Sequence, residues 1–103
     1  MKKTKAPNSD IKKHAAQASA LLKQLANEQR LLILCNLVNG ELAVSDMQKT
    51  IDLSQSALSQ HLAKMRTAGL VEADKRGQKI YYRIASTEVR AMLSTLHLIY
   101  CRI

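Results

Sequence analysis

Two cysteines stand 66 positions apart in this sequence, Cys35 inside LLILCNL and Cys101 inside IYCRI. A buried thiol behaves as a small apolar side chain, whereas an accessible pair can be oxidised, so the residues alone leave both roles open. A second group with chemistry to offer is SQSALSQHLAKMR, residues 54–66, where Ser and Gln recur among apolar residues. Its amides and hydroxyls are the groups that read base edges. His14, His61 and His97 are isolated from one another, and no Gly-rich phosphate loop, carboxylate pair or His–Cys–Asn set accompanies them. No enzyme is expected. With three Tyr and no Phe or Trp, the chain also lacks the interleaved aromatics of a single-strand stacking platform.

The net charge of +8 is unevenly placed. Residues 1–13 carry five Lys/Arg against one Asp, and residues 55–83 carry six against two acids; the remaining ten charges cancel. The excess therefore sits in an N-terminal tail and in the segment that holds the Ser/Gln face, as expected of a polyanion-binding surface. No apolar stretch is long enough to span a bilayer or serve as the core of a signal peptide. A cytoplasmic protein with no membrane partner is expected, and its thiols are reduced there by default.

Positioning these groups takes one domain. Residues 1–9 read as a disordered basic tail, and residues 10–103 as one folded, DNA-binding domain. Ile11, Ala15, Ala18, Leu22 and Leu25 recur at helical spacing over about 10–26. Asn27 caps a second helix, EQRLLILCNLV, apolar nearly all round and so expected to be central and buried, with Asn39-Gly40 closing it. SDMQ predicts a capping box in which Ser45 caps a short third helix, ending near Thr50, and Gln48 reaches back. Ser54 caps a fourth helix that Gly69 ends, with Leu53 and Leu58 as a hydrophobic staple. LVEADK and KIYYRI flank RGQ as a β-hairpin, with Ile80, Tyr82 and Ile84 inward. Ser86 caps a last helix, Glu88 lies near its positive end, and Val89, Met92, Leu93, Leu96 and Tyr100 form its apolar face. The order α-α-α-α-β-β-α, mainly α, is a winged helix-turn-helix.

Within the fourth helix, Leu58, Leu62 and Met65 fall on one face and Gln55, Ser56, Ser59 and Gln60 on the other. A recognition helix presents its N-terminal residues to the major groove, so these four are the candidate base readers. Lys64, Arg66, Lys75, Arg76 and Lys79 are the candidate phosphate contacts, the last three on the wing.

From about residue 18 to 101, the segments LANEQRLLIL, LSQSALSQHLAKMRTAGLV and GQKIYYRI resemble the ArsR/SmtB family of winged-helix repressors. The resemblance implies a transcriptional repressor on double-stranded, inverted-repeat DNA. It also implies a homodimer joined through its first and last helices, which gives their apolar stripes a partner. Two metal sites known in that family lack their ligands here. ELAVSDM puts Ala43 and Ser45 where thiolates are needed, and the last helix offers only His97. No metal and no cofactor are expected.

RLLILCNL, LSQSALSQHL and STEVRAMLSTLHLIYC are most similar to the HlyU/BigR/SqrR branch, which places one cysteine in the second helix and one in the last. By that resemblance Cys35 and Cys101 form a dithiol that senses reactive sulfur species or oxidants and releases DNA on oxidation, with His97 or Arg102 placed to favour a thiolate. The competing reading keeps the DNA binding and makes the cysteines structural, in a non-sensing regulator or an anti-silencer of virulence-type genes that competes with a nucleoid protein.

Overall fold

The computed structural model describes residues 7–101. Five helices and three strands follow in the order α1 (Pro7–Leu25), α2 (Glu28–Asn36), β1 (Leu42–Ala43), α3 (Val44–Met47), α4 (Gln55–Thr67), β2 (Val71–Arg76), β3 (Lys79–Ile84) and α5 (Thr87–Tyr100). The expected winged helix-turn-helix is present, with one strand more than the sequence pattern predicts. The first six residues of the expected tail lie outside the described residues. Helix α1 starts at Pro7, earlier than expected, and a proline suits a first helical position because its missing N–H would have no intrahelical partner.

Three of the predicted caps are in place. The Asn27 side chain accepts from the Arg30 N–H at 3.0 Å, Ser54 Oγ from the Ala57 N–H at 3.1 Å, and Ser86 Oγ from the Val89 N–H at 3.1 Å. Each satisfies one of the free N–H groups at a helix start. The fourth cap is displaced. Ala43, held extended by its pairing with Tyr81, is the residue before α3, and Asp46 Oδ2 accepts from its N–H at 3.3 Å. Ser45 is thus inside the helix, and Asp46 rather than Gln48 reaches back. After Met47 the chain continues in tighter turns to Thr50. Gly69, at φ +80°, ends the α4 segment in the left-handed region that glycine tolerates.

Strand order is β1-β3-β2, antiparallel throughout, with Val71 opposite Ile84 and Arg76 opposite Lys79 across the Gly77-Gln78 turn. Leu42 pairs with Tyr82. Tyr82 and Ile84 point into the core as predicted, but Ile80 is 42% exposed because it lies beyond the helices, near the wing tip.

The core is aliphatic. Ile33 and Leu34 from α2, Leu37 directly after it, Met47 from α3, Leu58, Leu62 and Met65 from α4, and Val89 and Leu93 from α5 are all essentially inaccessible. The short third helix and α4 therefore share one apolar wall with α2, which fixes the angle of α4. The expectation that α2 is buried all round fails in the single chain: Leu32 is 47% exposed and Cys35 is exposed. Only part of the α1 stripe finds cover. Leu25 is buried, while Ile11 and Leu22 are more than half exposed. On α5, Val89 and Leu93 are covered, but Leu98 (75%), Ile99 and Tyr100 (79%) face outward.

Candidate nucleic-acid interface and thiol pair

Inward anchoring of Leu58, Leu62 and Met65 leaves the opposite side of α4 to solvent. Gln55, Ser56, Ser59, Gln60, Lys64 and Arg66 are all exposed there. Between the start of α4 and the wing lies a cleft of about 370 Å³. Gln55 and Ser59 line one side, Gln78, Lys79, Ile80 and Tyr82 the other, and Ala43, Val44 and Ser45 its end. Two of the four expected base readers thus share one concave surface with the wing, while Ser56 and Gln60 lie on the exposed helix outside its lining.

The wing lysines Lys75 and Lys79 are exposed and form no ion pair among the described residues. Arg76 differs from them. Its Nη2 donates to Glu41 Oε1 at 2.9 Å and to Asp74 Oδ2 at 3.0 Å, and its Nε donates to Asp74 Oδ2 at 3.1 Å. The guanidinium also lies 4.8 Å from the centre of the Tyr81 ring. These contacts hold the Glu41 carboxyl below the ordinary carboxylate range and raise the Arg76 pKa further. Arg76 was expected to hold phosphate; here its donors are engaged by carboxylates of the protein itself.

Cys101 lies within electrostatic range of Cys35 although the two are distant in sequence. Cys101 is the first residue past α5, and its N–H donates to the His97 carbonyl at 2.8 Å. Cys35 lies on the outward side of α2. Burial by its neighbours pushes the Cys35 thiol up, and its Coulombic interaction with Cys101 acts in the same direction. Cys101 is thus close enough to be felt electrostatically at Cys35. Both are free and exposed. The shift at Cys35 is opposite to that of an activated thiolate; Arg102, one group expected to help, lies outside the described residues.

Two hydrogen bonds that sequence reasoning did not anticipate clasp the C-terminal turn of α2, next to Cys35. Thr50 Oγ1, at the helix-turn-helix, donates to Asn36 Oδ1 at 2.8 Å. Arg90 Nη1, on α5, donates to the Val38 carbonyl at 3.1 Å. Nothing in spacing could have paired residues 14 and 52 positions apart; the fold brings them together.

A family profile described as bacterial regulatory protein, arsR family, matches residues 27–73, from the cap of α2 into β2. The transcriptional activator HlyU of Vibrio cholerae is 50% identical over 93 residues, covering 90% of this chain and 86% of HlyU. The chain belongs to the ArsR family. The Agrobacterium fabrum biofilm growth-associated repressor is 34% identical over 91 residues, covering 88% of this chain and 78% of that one. Among solved structures, reduced HlyU from V. cholerae superposes with a TM-score of 0.85 at 49% identity, over 90% of this chain and 98% of HlyU. The transcriptional repressor BigR from Xylella fastidiosa gives 0.88 at 32% identity, over 95% and 100%.

This ArsR-family chain is accordingly a DNA-binding transcriptional regulator, not an enzyme. No helix among the described residues is long and apolar enough to cross a membrane. At the cleft end, Ala43 is buried and Ser45 exposed, and neither offers a thiolate.

Proposed function

We propose that this ArsR-family regulator is a cytoplasmic repressor that binds duplex DNA as a homodimer and releases it when Cys35 and Cys101 of one chain are bridged by sulfur. The reading is supported by the placement of the two thiols, both exposed, one on the outward side of α2 and one directly after α5, with Cys101 adding to the upward shift of the Cys35 pKa. A bridge between a thiol on α2 and one at the end of α5 ties those two helices together.

Gln55, Ser56, Ser59 and Gln60 read bases in the major groove, and Lys64, Arg66, Lys75 and Lys79 hold phosphates on either side. The exposed ends of α1 and α5 supply the dimer face, with Leu98, Ile99 and Tyr100 as its apolar centre. Two-fold symmetry then requires an inverted repeat with half-sites ~34–36 Å apart, or a multiple of that.

For the switch, the chemistry balances with a polysulfane, R–S–Sx–S–R, as oxidant. Because Cys35 is held towards its protonated form, Cys101 attacks first and expels one R–S⁻. Cys35 then attacks the mixed polysulfide and expels the second. The two thiols give up two protons and two electrons, and the internal sulfur stays between them. A direct disulfide requires Cα atoms within ~7 Å, whereas inserted sulfur tolerates a wider gap. Tension along the bridge reaches the helix-turn-helix through the α2 turn that Thr50 and Arg90 clasp. A coupling of ~2–3 kcal/mol changes affinity ~30–150-fold.

One feature favours the second reading, in which the cysteines are inert and the protein is a non-sensing regulator or anti-silencer: burial shifts the Cys35 pKa up, the direction opposite to that which activates a thiol. Selection from a random duplex pool, followed by titration with reduced and polysulfide-treated protein, separates the two. The switch predicts an inverted-repeat consensus, weaker binding after treatment and an intramolecular mass gain of whole sulfur atoms. Unchanged affinity of fully bridged protein refutes the switch, and failure of reduced protein to bind any duplex at low salt refutes the DNA reading.

A further inference from the structure

The outer face of the wing is a charged ladder of three carboxylates and two arginines. Alternation along the strands puts Glu72, Asp74 and Arg76 of β2 on the same side of the sheet as Tyr81 and Arg83 of β3. Continuing the β1 register by one residue places Glu41 opposite Arg83. Arg83 Nε donates to Glu72 Oε1 at 2.7 Å, and its Nη1 is 3.7 Å from Glu41 Oε1. Arg76 lies across the Tyr81 ring and grips Glu41 with both terminal nitrogens. Glu41 directly precedes β1, and β1 runs without interruption into α3 of the helix-turn-helix. Paired strands join β1 to β3 at only two positions, Leu42 to Tyr82 and Ala43 to Tyr81. The Glu41–Arg76 grip is therefore a direct side-chain tie between the far end of β2 and the entrance to the helix-turn-helix. Exposed single ion pairs contribute little, but a two-pronged arginine stacked on an aromatic ring, within a set of five charged groups, has a fixed geometry that an isolated pair lacks.

We infer that Arg76 is a positioning residue: held by Glu41 and Asp74 and stacked on Tyr81, it sets the angle of the wing against α4 and does not contact phosphate. This rests on reading α4 and the wing as the DNA surface. It reverses the sign expected of a change at Glu41. If Arg76 were a phosphate contact restrained by Glu41, removing the carboxylate would free a cation for DNA and tighten binding to every sequence. If Glu41 and Arg76 together hold the wing, the same change loosens its angle, so that Lys75 and Lys79 still reach phosphate but only after the wing is ordered, and binding to the selected site weakens.

The test uses Glu41→Gln, Arg76→Ala, their double variant, the charge swap Glu41→Arg/Arg76→Glu, and Lys79→Ala. Each is titrated against the selected operator and an unrelated duplex across a salt series. A positioning role predicts ~10-fold weaker operator binding for Glu41→Gln and for Arg76→Ala, with the double variant no worse than either. It also predicts partial recovery in the charge swap and unchanged salt slopes for all four. Lys79→Ala, a phosphate contact, should flatten the slope by ~1 on both duplexes. Tighter binding and a steeper slope for Glu41→Gln, or a slope flattened by ~1 for Arg76→Ala, overturns the inference. Hydrogen exchange of the free proteins supplies a readout that needs no DNA. The β2–β3 amides should exchange faster in Glu41→Gln while those of α2 stay unchanged, and unchanged wing exchange overturns the tie. Should the wild type bind no duplex, the DNA reading falls, while the exchange result still decides whether the tie exists.

Discussion

Replacing Leu98 by alanine isolates the proposed dimer face from the fold itself. In the single chain this side chain is 75% exposed, so truncating it should alter folding of a lone subunit by less than ~0.5 kcal/mol. Alanine is also the better helix former, so α5 should not fray for lack of propensity. If a second copy covers Leu98, losing its three isopropyl carbons at ~0.8 kcal/mol each, scaled by the three-quarters that is open, removes ~2 kcal/mol per subunit. A two-fold interface contains the site twice, so the dimer loses ~4 kcal/mol and its dissociation constant rises ~10³-fold. Sedimentation equilibrium over a dilution series reads that constant, and circular dichroism at the same concentrations reports whether the helices survive. A Leu98→Ala protein that is helical and dissociates within ~3-fold of the wild type would refute the placement of α5 in the interface.

Four further outcomes follow from named residues. Gln60→Ala should leave salt dependence intact but relax sequence preference at one base pair per half-site, costing ~1–3 kcal/mol on the operator, as read from a binding series on single-base operator variants. Because the Cys35 pKa is raised, its alkylation should be slower than that of free cysteine at neutral pH and should climb as pH rises past the ordinary thiol range. Cys101→Ser should bring the Cys35 pKa part of the way back, since burial, the larger cause, remains; mass spectrometry of iodoacetamide adducts against pH measures both. Thr50→Val deletes the donor to Asn36 Oδ1 while keeping the side-chain shape, so if the α2 turn transmits the switch the ratio of reduced to oxidised affinity should shrink by ~5-fold, the equivalent of a ~1 kcal/mol hydrogen bond.

Much of this molecule was legible because its signals are local. Asn27, Ser54 and Ser86 announce helix starts within three residues of the N–H groups they accept. The period of Leu58, Leu62 and Met65 separates the buried face of α4 from the face that carries Gln55 and Gln60. The misses are non-local. A two-residue strand such as Leu42–Ala43 has no period to detect, and because its partner Tyr82 lies forty residues on, the shift of the α3 cap to Ala43 could not be anticipated either. Arg76 reads as one more basic wing residue until the fold brings Glu41 to it. An apolar helix such as α2 predicts burial but not by what, and Leu32 and Cys35 remain open in one chain.

The central claim is that both thiols of one chain are needed to release DNA. Operator affinity should therefore be measured for the wild type, Cys35→Ser and Cys101→Ser, each reduced and after polysulfide. The account predicts that all three bind when reduced, that only the wild type weakens by ~30–150-fold on treatment, and that only the wild type acquires an intramolecular sulfur bridge. Either single variant releasing operator like the wild type after polysulfide would contradict it.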